Sequence, residues 1–172
     1  DFGVVGNEAV NSNSEGRAYG AELFIQQKAV KGFYGILSLT WVRSEFKLYS
    51  EADYIPSSWD SEYLVTSTLG KKFKNGWEVG ARWRYVNGRP YTPILLPYSS
   101  FRRVYDVTGA GVPDFANLNS ERLPAFHQLD LRVDKKWFFD KVSLNLYFDI
   151  QNAYNFQSDG PPLLFVQEDA NL

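Results

Sequence analysis

The chain has no cysteine, no methionine and a single histidine among its 172 residues. Without cysteine there are no disulfides, thiolate zinc sites, thiol nucleophiles or iron–sulfur clusters, although a cysteine-free chain suits reducing and oxidising compartments alike. An excess of one charge is lacking too. The 18 Lys and Arg against 20 Asp and Glu leave a formal charge of −2, unlike the basic footprint of a nucleic-acid binder. Long apolar runs are also missing: Ile94 to Pro97 and Pro161 to Val166 fall far below the roughly 18 residues that a membrane helix requires. Asp1 to Asn13 carries no basic head followed by an apolar stretch, so no secretory leader is expected and the chain reads as a mature piece or an excised fragment.

What is present is rings and alternation. Phe, Tyr and Trp number 13, 11 and 5, in a composition that is 44% hydrophobic and 22% charged, which suits a folded rather than a disordered chain. In Trp77 to Val86, Trp77, Val79, Ala81, Trp83 and Tyr85 alternate with Glu78, Gly80, Arg82, Arg84 and Val86. This is period two, the signature of a strand with one apolar face. Val142 to Gln151 repeats it, and Gln128 to Trp137 sets Leu129, Leu131, Val133 and Trp137 against Gln128, Asp130, Arg132, Asp134 and Lys136, with Lys135 breaking the apolar face. Arg17 to Lys28, Phe33 to Phe46 and Tyr63 to Phe73 alternate with one or two misfits each. The sequence therefore predicts six strands and no helix.

The connections are unequal in a regular way. Val30-Lys31-Gly32, Lys74-Asn75-Gly76 and Phe139-Asp140-Lys141 are tight turns, the second carrying the Asn-Gly pair suited to positive φ. Leu48 to Trp59 and Asn87 to Phe126 are long polar segments, expected to be functional and more mobile than the strands. Short turns at one end and long loops at the other are the connectivity of outer-membrane barrels. Phe33, Phe73, Trp77, Trp137 and Phe138 lie beside the short turns, where they would form one aromatic girdle. The alternative is a soluble antiparallel sandwich, whose strands alternate as well, but ordinary strands average about five or six residues and several runs here reach ten.

Candidate chemistry is sparse. Asp130, Arg132 and Asp134 invite a metal reading, yet at about 3.3 Å per residue Asp130 and Asp134 sit about 13 Å apart with Arg132 between them. A charge ladder fits better, with Arg82 and Arg84 pairing to this strand across a solvated wall. His127 would have to serve any Ser–His–Asp triad, with Ser120 or Asp130, but Asp130 lies three residues on and so on the opposite strand face. No G-x-S-x-G, H-E-x-x-H, phosphate-loop or dinucleotide motif occurs, so neither catalysis nor a cofactor is expected. Tyr91, Tyr98, Arg102, Arg103 and Tyr105 are the loop residues placed to touch a ligand.

Gly16 to Lys28, Ile55 to Asp60, Trp77 to Pro93 and Asn119 to Asn155 follow one another in a recognisable order. With Asn87-Gly88-Arg89-Pro90-Tyr91-Thr92-Pro93, Leu129-Asp130-Leu131-Arg132-Val133-Asp134-Lys135-Lys136-Trp137 and Leu144 to Asn155, the chain resembles the C-terminal third of TonB-dependent outer-membrane receptors. The motifs are informative as a set and weak singly.

The resemblance implies an all-β antiparallel meander forming one segment, residues 1–172, of a plugged barrel of about 22 strands. It implies import of a scarce nutrient (a metal chelate, vitamin or glycan) across the outer membrane of a Gram-negative bacterium. Its partners would be outer-membrane lipid, an N-terminal plug domain, the remaining barrel strands and an inner-membrane energy-coupling protein. Under it Glu22, Arg82, Arg84, Asp130, Arg132 and Asp134 would face the lumen, keeping it solvated and holding the plug. Family chains close on an apolar strand with a terminal aromatic residue, whereas Gln167 to Leu172 is polar, so the closing strand is expected to be missing. Six strands cannot close a barrel whose smallest known count is eight. A soluble carbohydrate-binding or adhesion sandwich, or a small structural barrel, are the competing readings.

Overall fold

The computed structural model describes residues 13–49 and 52–164; the polar run 167–172 lies outside them. Six long strands form an antiparallel meander: β1 (Glu15–Val30), β2 (Phe33–Lys47), β4 (Glu62–Lys72), β5 (Trp77–Val86), β8 (Phe126–Phe138) and β9 (Ser143–Ile150). They pair in the order β1-β2-β4-β5-β8-β9, and a two-residue strand, β3 (Ile55–Pro56), joins the loop end of β2. The sheet is open, since β1 and β9 lie at its two edges and do not pair with each other. The expected strands are all present: β1, β2 and β8 run a residue or two longer, β5 keeps its bounds, β4 is shifted by one residue and β9 is a residue shorter at each end.

Two of the three tight turns take their shape from positive φ. Lys31 and Gly32 stand at φ 50° and 84°, and Asn75 and Gly76 at 63° and 73°. Both central residues in the left-handed region give the turn whose twist matches that of the flanking strands. The third is closed by the Phe139 amide donating to the Val142 carbonyl at 2.9 Å.

Register settles which residues share a face. Trp41 faces Tyr63, Leu69 faces Ala81, Ala81 faces Leu131 and Val133 faces Phe148, so the odd members of β1, β2, β4, β5 and β8 join the even members of β9 in one apolar surface. Nothing covers it. Among the described residues no aliphatic or aromatic side chain other than Pro90, in the loop, is buried, and Trp83, Leu131 and Phe148 are 37, 38 and 67% exposed. A sandwich would bury these side chains between two layers, and such a layer is absent among the described residues. Of the expected girdle, Phe33, Trp77 and Trp137 do stand on the apolar face, opposite Lys71, Lys135 and Leu144. Phe138 does not: it pairs with Ser143 on the other face, because adjacent residues of a strand point to opposite sides.

The long loop holds more secondary structure than its sequence suggests. It holds a two-strand ribbon, β6 (Pro90–Tyr91) with β7 (Glu121–Arg122), and two short helices, α1 (Leu96–Ser99) and α2 (Arg102–Thr108). The expectation of no helix is corrected here. Proline in the first turn starts α1 with its φ already set, and Gly109 at φ 64° ends α2 in the left-handed cap. At four and seven residues, neither helix is long enough to display a 3.6 period.

Gly76 tests the turn geometry directly. A Cβ there would stand 2.1 Å from the Lys136 carbonyl oxygen, at φ 73°. Gly76→Ala is expected to destabilise the protein by about 1–3 kcal/mol, read from the chemical unfolding midpoint; an unchanged midpoint would refute this turn.

Candidate functional site

The face opposite the apolar one is charged. Arg82 on β5 lies directly opposite Asp130 on β8, and its Nε and Nη2 both donate to Asp130 Oδ2, at 3.1 and 2.7 Å. Arg84 Nη2 approaches the same oxygen at 3.6 Å. The other oxygen of Asp130 accepts from Gln128 Nε2 at 2.6 Å and from the Asn152 amide at 3.0 Å. Asp130 is 5% exposed, and these bonds offset the cost of removing its charge from water. Arg132 forks onto Asp134 of its own strand, both bonds at 2.8 Å, and lies over the Tyr147 ring at 4.1 Å.

Five of the six expected polar-face residues therefore sit together on β5 and β8, with Arg82–Asp130 bridging strands and Arg132–Asp134 lying within one. Glu22 does not join them. It stands on β1 opposite Thr40, with β2 and β4 intervening before β5. No group of three acidic or histidine side chains able to hold a metal ion occurs among the described residues.

One contact on this face explains two irregular residues at once. Tyr34, an aromatic misfit on the polar face of β2, donates to Glu78 Oε1 on β5 at 2.5 Å. To do so its ring crosses β4 above Gly70, where an added Cβ would stand 2.2 Å from Tyr34 Cζ. The glycine is the gap through which the tyrosine reaches.

At the loop end a second charged cluster forms around Asp60, whose side chain is fully buried. Its carboxylate accepts from the Ser44 amide at 2.7 Å, pairs with Arg122 Nη2 and lies 3.6 Å from Arg43 Nη1. Arg122 Nη1 also donates to the Asp60 and Gly88 carbonyls at 2.6 and 3.0 Å. Glu62 pairs with Arg43 and accepts from Asn87 Nδ2 at 3.0 Å. Glu45 continues the chain outward, to Arg43 at 3.3 Å and to Arg17 at 2.7 Å. Nearby, Asn119 Nδ2 donates to the Pro56 carbonyl at 2.8 Å. These contacts bind the 87–125 loop onto the 48–61 loop.

Sequence reasoning assigned no role to Asp60, Arg43, Glu62, Arg122 or Asn119. They come from three separated segments, at 43, 60–62 and 119–122, and nothing in their spacing announces that they meet. The one local signal was Asp60, at the end of a Pro-Ser-Ser-Trp run.

The loop candidates are less united. Tyr91 lies in β6 opposite Glu121, Tyr98 is exposed in α1, and Arg102, Arg103 and Tyr105 share α2. Arg102 lies 4.0 Å from Asp106, an exposed pair one helical turn apart. His127 stands on the apolar face opposite Tyr85; its Nδ1 is 2.7 Å from Tyr154 Oη and its ring 4.0 Å from Phe156. Asp130 is on the other face, so the two cannot form a triad. Comparison with protein-family models, curated proteins and solved structures finds no match to this chain.

Asp60→Ala would leave Arg122 and the Ser44 amide without their buried acceptor. We expect a loss of about 3 kcal/mol, toward the lower end for breaking a buried pair because Arg122 is 27% exposed. Limited proteolysis should then cut within 87–125 much faster than in the parent; equal cutting rates would show that Asp60 does not pin the loop.

Proposed function

We propose that this chain is a length of outer-membrane barrel wall, and that it belongs to a TonB-dependent receptor importing a scarce nutrient. The observation that carries the first part is the uncovered apolar face backed by a charged one. A bilayer is the environment in which such a face is stable without a second protein layer.

Ring rows at both margins support it. Phe33, Trp77 and Trp137 edge the apolar face at the turn end, and Tyr19, Trp41, Tyr63 and Tyr85 edge it at the loop end. Phe33 to Trp41 and Trp77 to Tyr85 each span eight positions. That is about 26 Å along a strand and about 20 Å along the normal of a wall tilted by about 40°, close to the apolar band of such barrels. Beyond the loop-end row the same face turns charged at Arg17, Arg43 and Glu45. The wall reading also gives the open edges of β1 and β9 a partner, the remaining strands of the barrel.

The receptor part rests on the motif order set out above. In it the Arg82–Asp130 and Arg132–Asp134 pairs face a wet lumen and a plug, the loop cap around Asp60 faces the outside, and the protein does no chemistry of its own. The sandwich alternative would need a covering layer, and a closed small barrel would need at least two strands beyond the six long ones among the described residues.

Because the chain has no cysteine, single cysteines report cleanly. Spin labels at Leu131→Cys and Val65→Cys in reconstituted protein should collide with oxygen and be shielded from an aqueous nickel reagent, and labels at Thr66→Cys and Arg132→Cys should do the reverse. Equal aqueous access at all four would overturn the wall. A reading frame without a plug domain upstream would overturn the receptor assignment alone.

A further inference from the structure

The lysines and arginines of this chain are segregated. Eight of nine lysines, at 28, 31, 71, 72, 74, 135, 136 and 141, lie at the turn end, whereas none of the nine arginines lies in a tight turn or beside one. Most of these lysines are exposed. Two of them, Lys71 and Lys135, break the apolar face, and the register places them beside its turn-end aromatic row.

Their surroundings repeat. Lys71 Nζ lies 3.4 Å from the centre of the Phe33 ring and 5.9 Å from that of Phe73, and donates to the Lys31 carbonyl at 3.1 Å. Lys135 Nζ lies 5.0 Å from the Trp77 ring and 5.5 Å from the Trp137 ring, and donates to the Asn75 carbonyl. Each ammonium keeps further donors for an anion. Each also stands at a groove of about 380 Å³. One is lined by Phe33, Gly35, Leu69, Val79 and Ala81, the other by Trp77, Val133, Trp137, Leu146 and Phe148. The first groove is shallow and open, with the Leu69 side chain lying over Gly35, where an added Cβ would stand 2.7 Å from Leu69 Cδ2.

We propose that each lysine with its groove is a binding site for one anionic phospholipid, the ammonium holding the headgroup phosphate and the groove an acyl chain. The inference deepens the wall reading and rests on it. The flanking rings set the depth at the headgroup boundary, where aromatic side chains and lysine stems are both at home. The ammonium beside each groove is the cation nearest the headgroup, so a headgroup with net negative charge is preferred over a zwitterionic one. Each lysine near an anionic surface adds about 1 kcal/mol, or about a fivefold preference.

The test is native mass spectrometry of the intact protein released from micelles holding equal amounts of phosphatidylglycerol and phosphatidylcholine. The parent should retain phosphatidylglycerol about fivefold over phosphatidylcholine at two sites, less so in high salt. Lys71→Gln with Lys135→Gln should bring the ratio close to one, while Lys71→Arg with Lys135→Arg should keep it. Lipids of both kinds retained in one unchanged ratio in all three proteins would overturn the lipid site and leave the wall intact. Retention of neither lipid by a protein that stays dispersed without detergent would overturn both.

Discussion

The rest of this structure depends on one imbalance: six hydrogen-bonded strands share an apolar face, and the described chain supplies nothing to lie against it. A folded protein ordinarily gains most of its stability by removing such side chains from water. Here Leu23, Leu69, Leu146 and Phe148 are each more than half exposed. The sheet satisfies its backbone groups internally, strand to strand, but it leaves its side chains to an environment beyond itself. In the proposed reading that environment is hydrocarbon, which has no hydrogen bonds to offer and demands a paired backbone.

The opposite face meets the complementary demand. Arg82 with Asp130, Arg132 with Asp134 and Tyr34 with Glu78 hold polar groups in defined places along a surface open to water. Partly exposed pairs of this kind contribute little individually to stability. Their consequence is a polar face whose charged groups are held in register. Two carboxylates are strongly desolvated, Asp130 within this ladder and Asp60 at the loop end, and at Asp60 the energetics of ion pairing are tied to the order of the loops. The molecule thus has three levels along the strands: a lysine-rich turn end, an apolar band backed by ion pairs, and a cross-linked loop end.

Much of this was legible in the sequence because a period of two is local. Trp77 to Val86 and Val142 to Gln151 state their faces without help from the rest of the chain, and Asn75-Gly76 states its turn. The misfits were not legible. Tyr34 on a polar face makes sense only when Gly70 lies beside it and Glu78 one strand further on, residues 36 and 44 positions away. Phe138 was placed with the girdle by proximity to a turn, although its parity sends it to the other face. The Asp60 cluster draws on positions from 17 to 122, and the two short helices lie below the length at which periodicity speaks. Lys135 registered only as an interruption of an apolar face, and its meaning came from the matching position of Lys71, two strands away in the sheet.

The central claim is that the uncovered face belongs against lipid, and partitioning is its most direct measurement. The account predicts that the intact protein stays with the membrane pellet after washing in alkaline carbonate and in urea, and leaves it only in detergent. A monomer that remains dispersed in plain buffer and melts cooperatively there would contradict it.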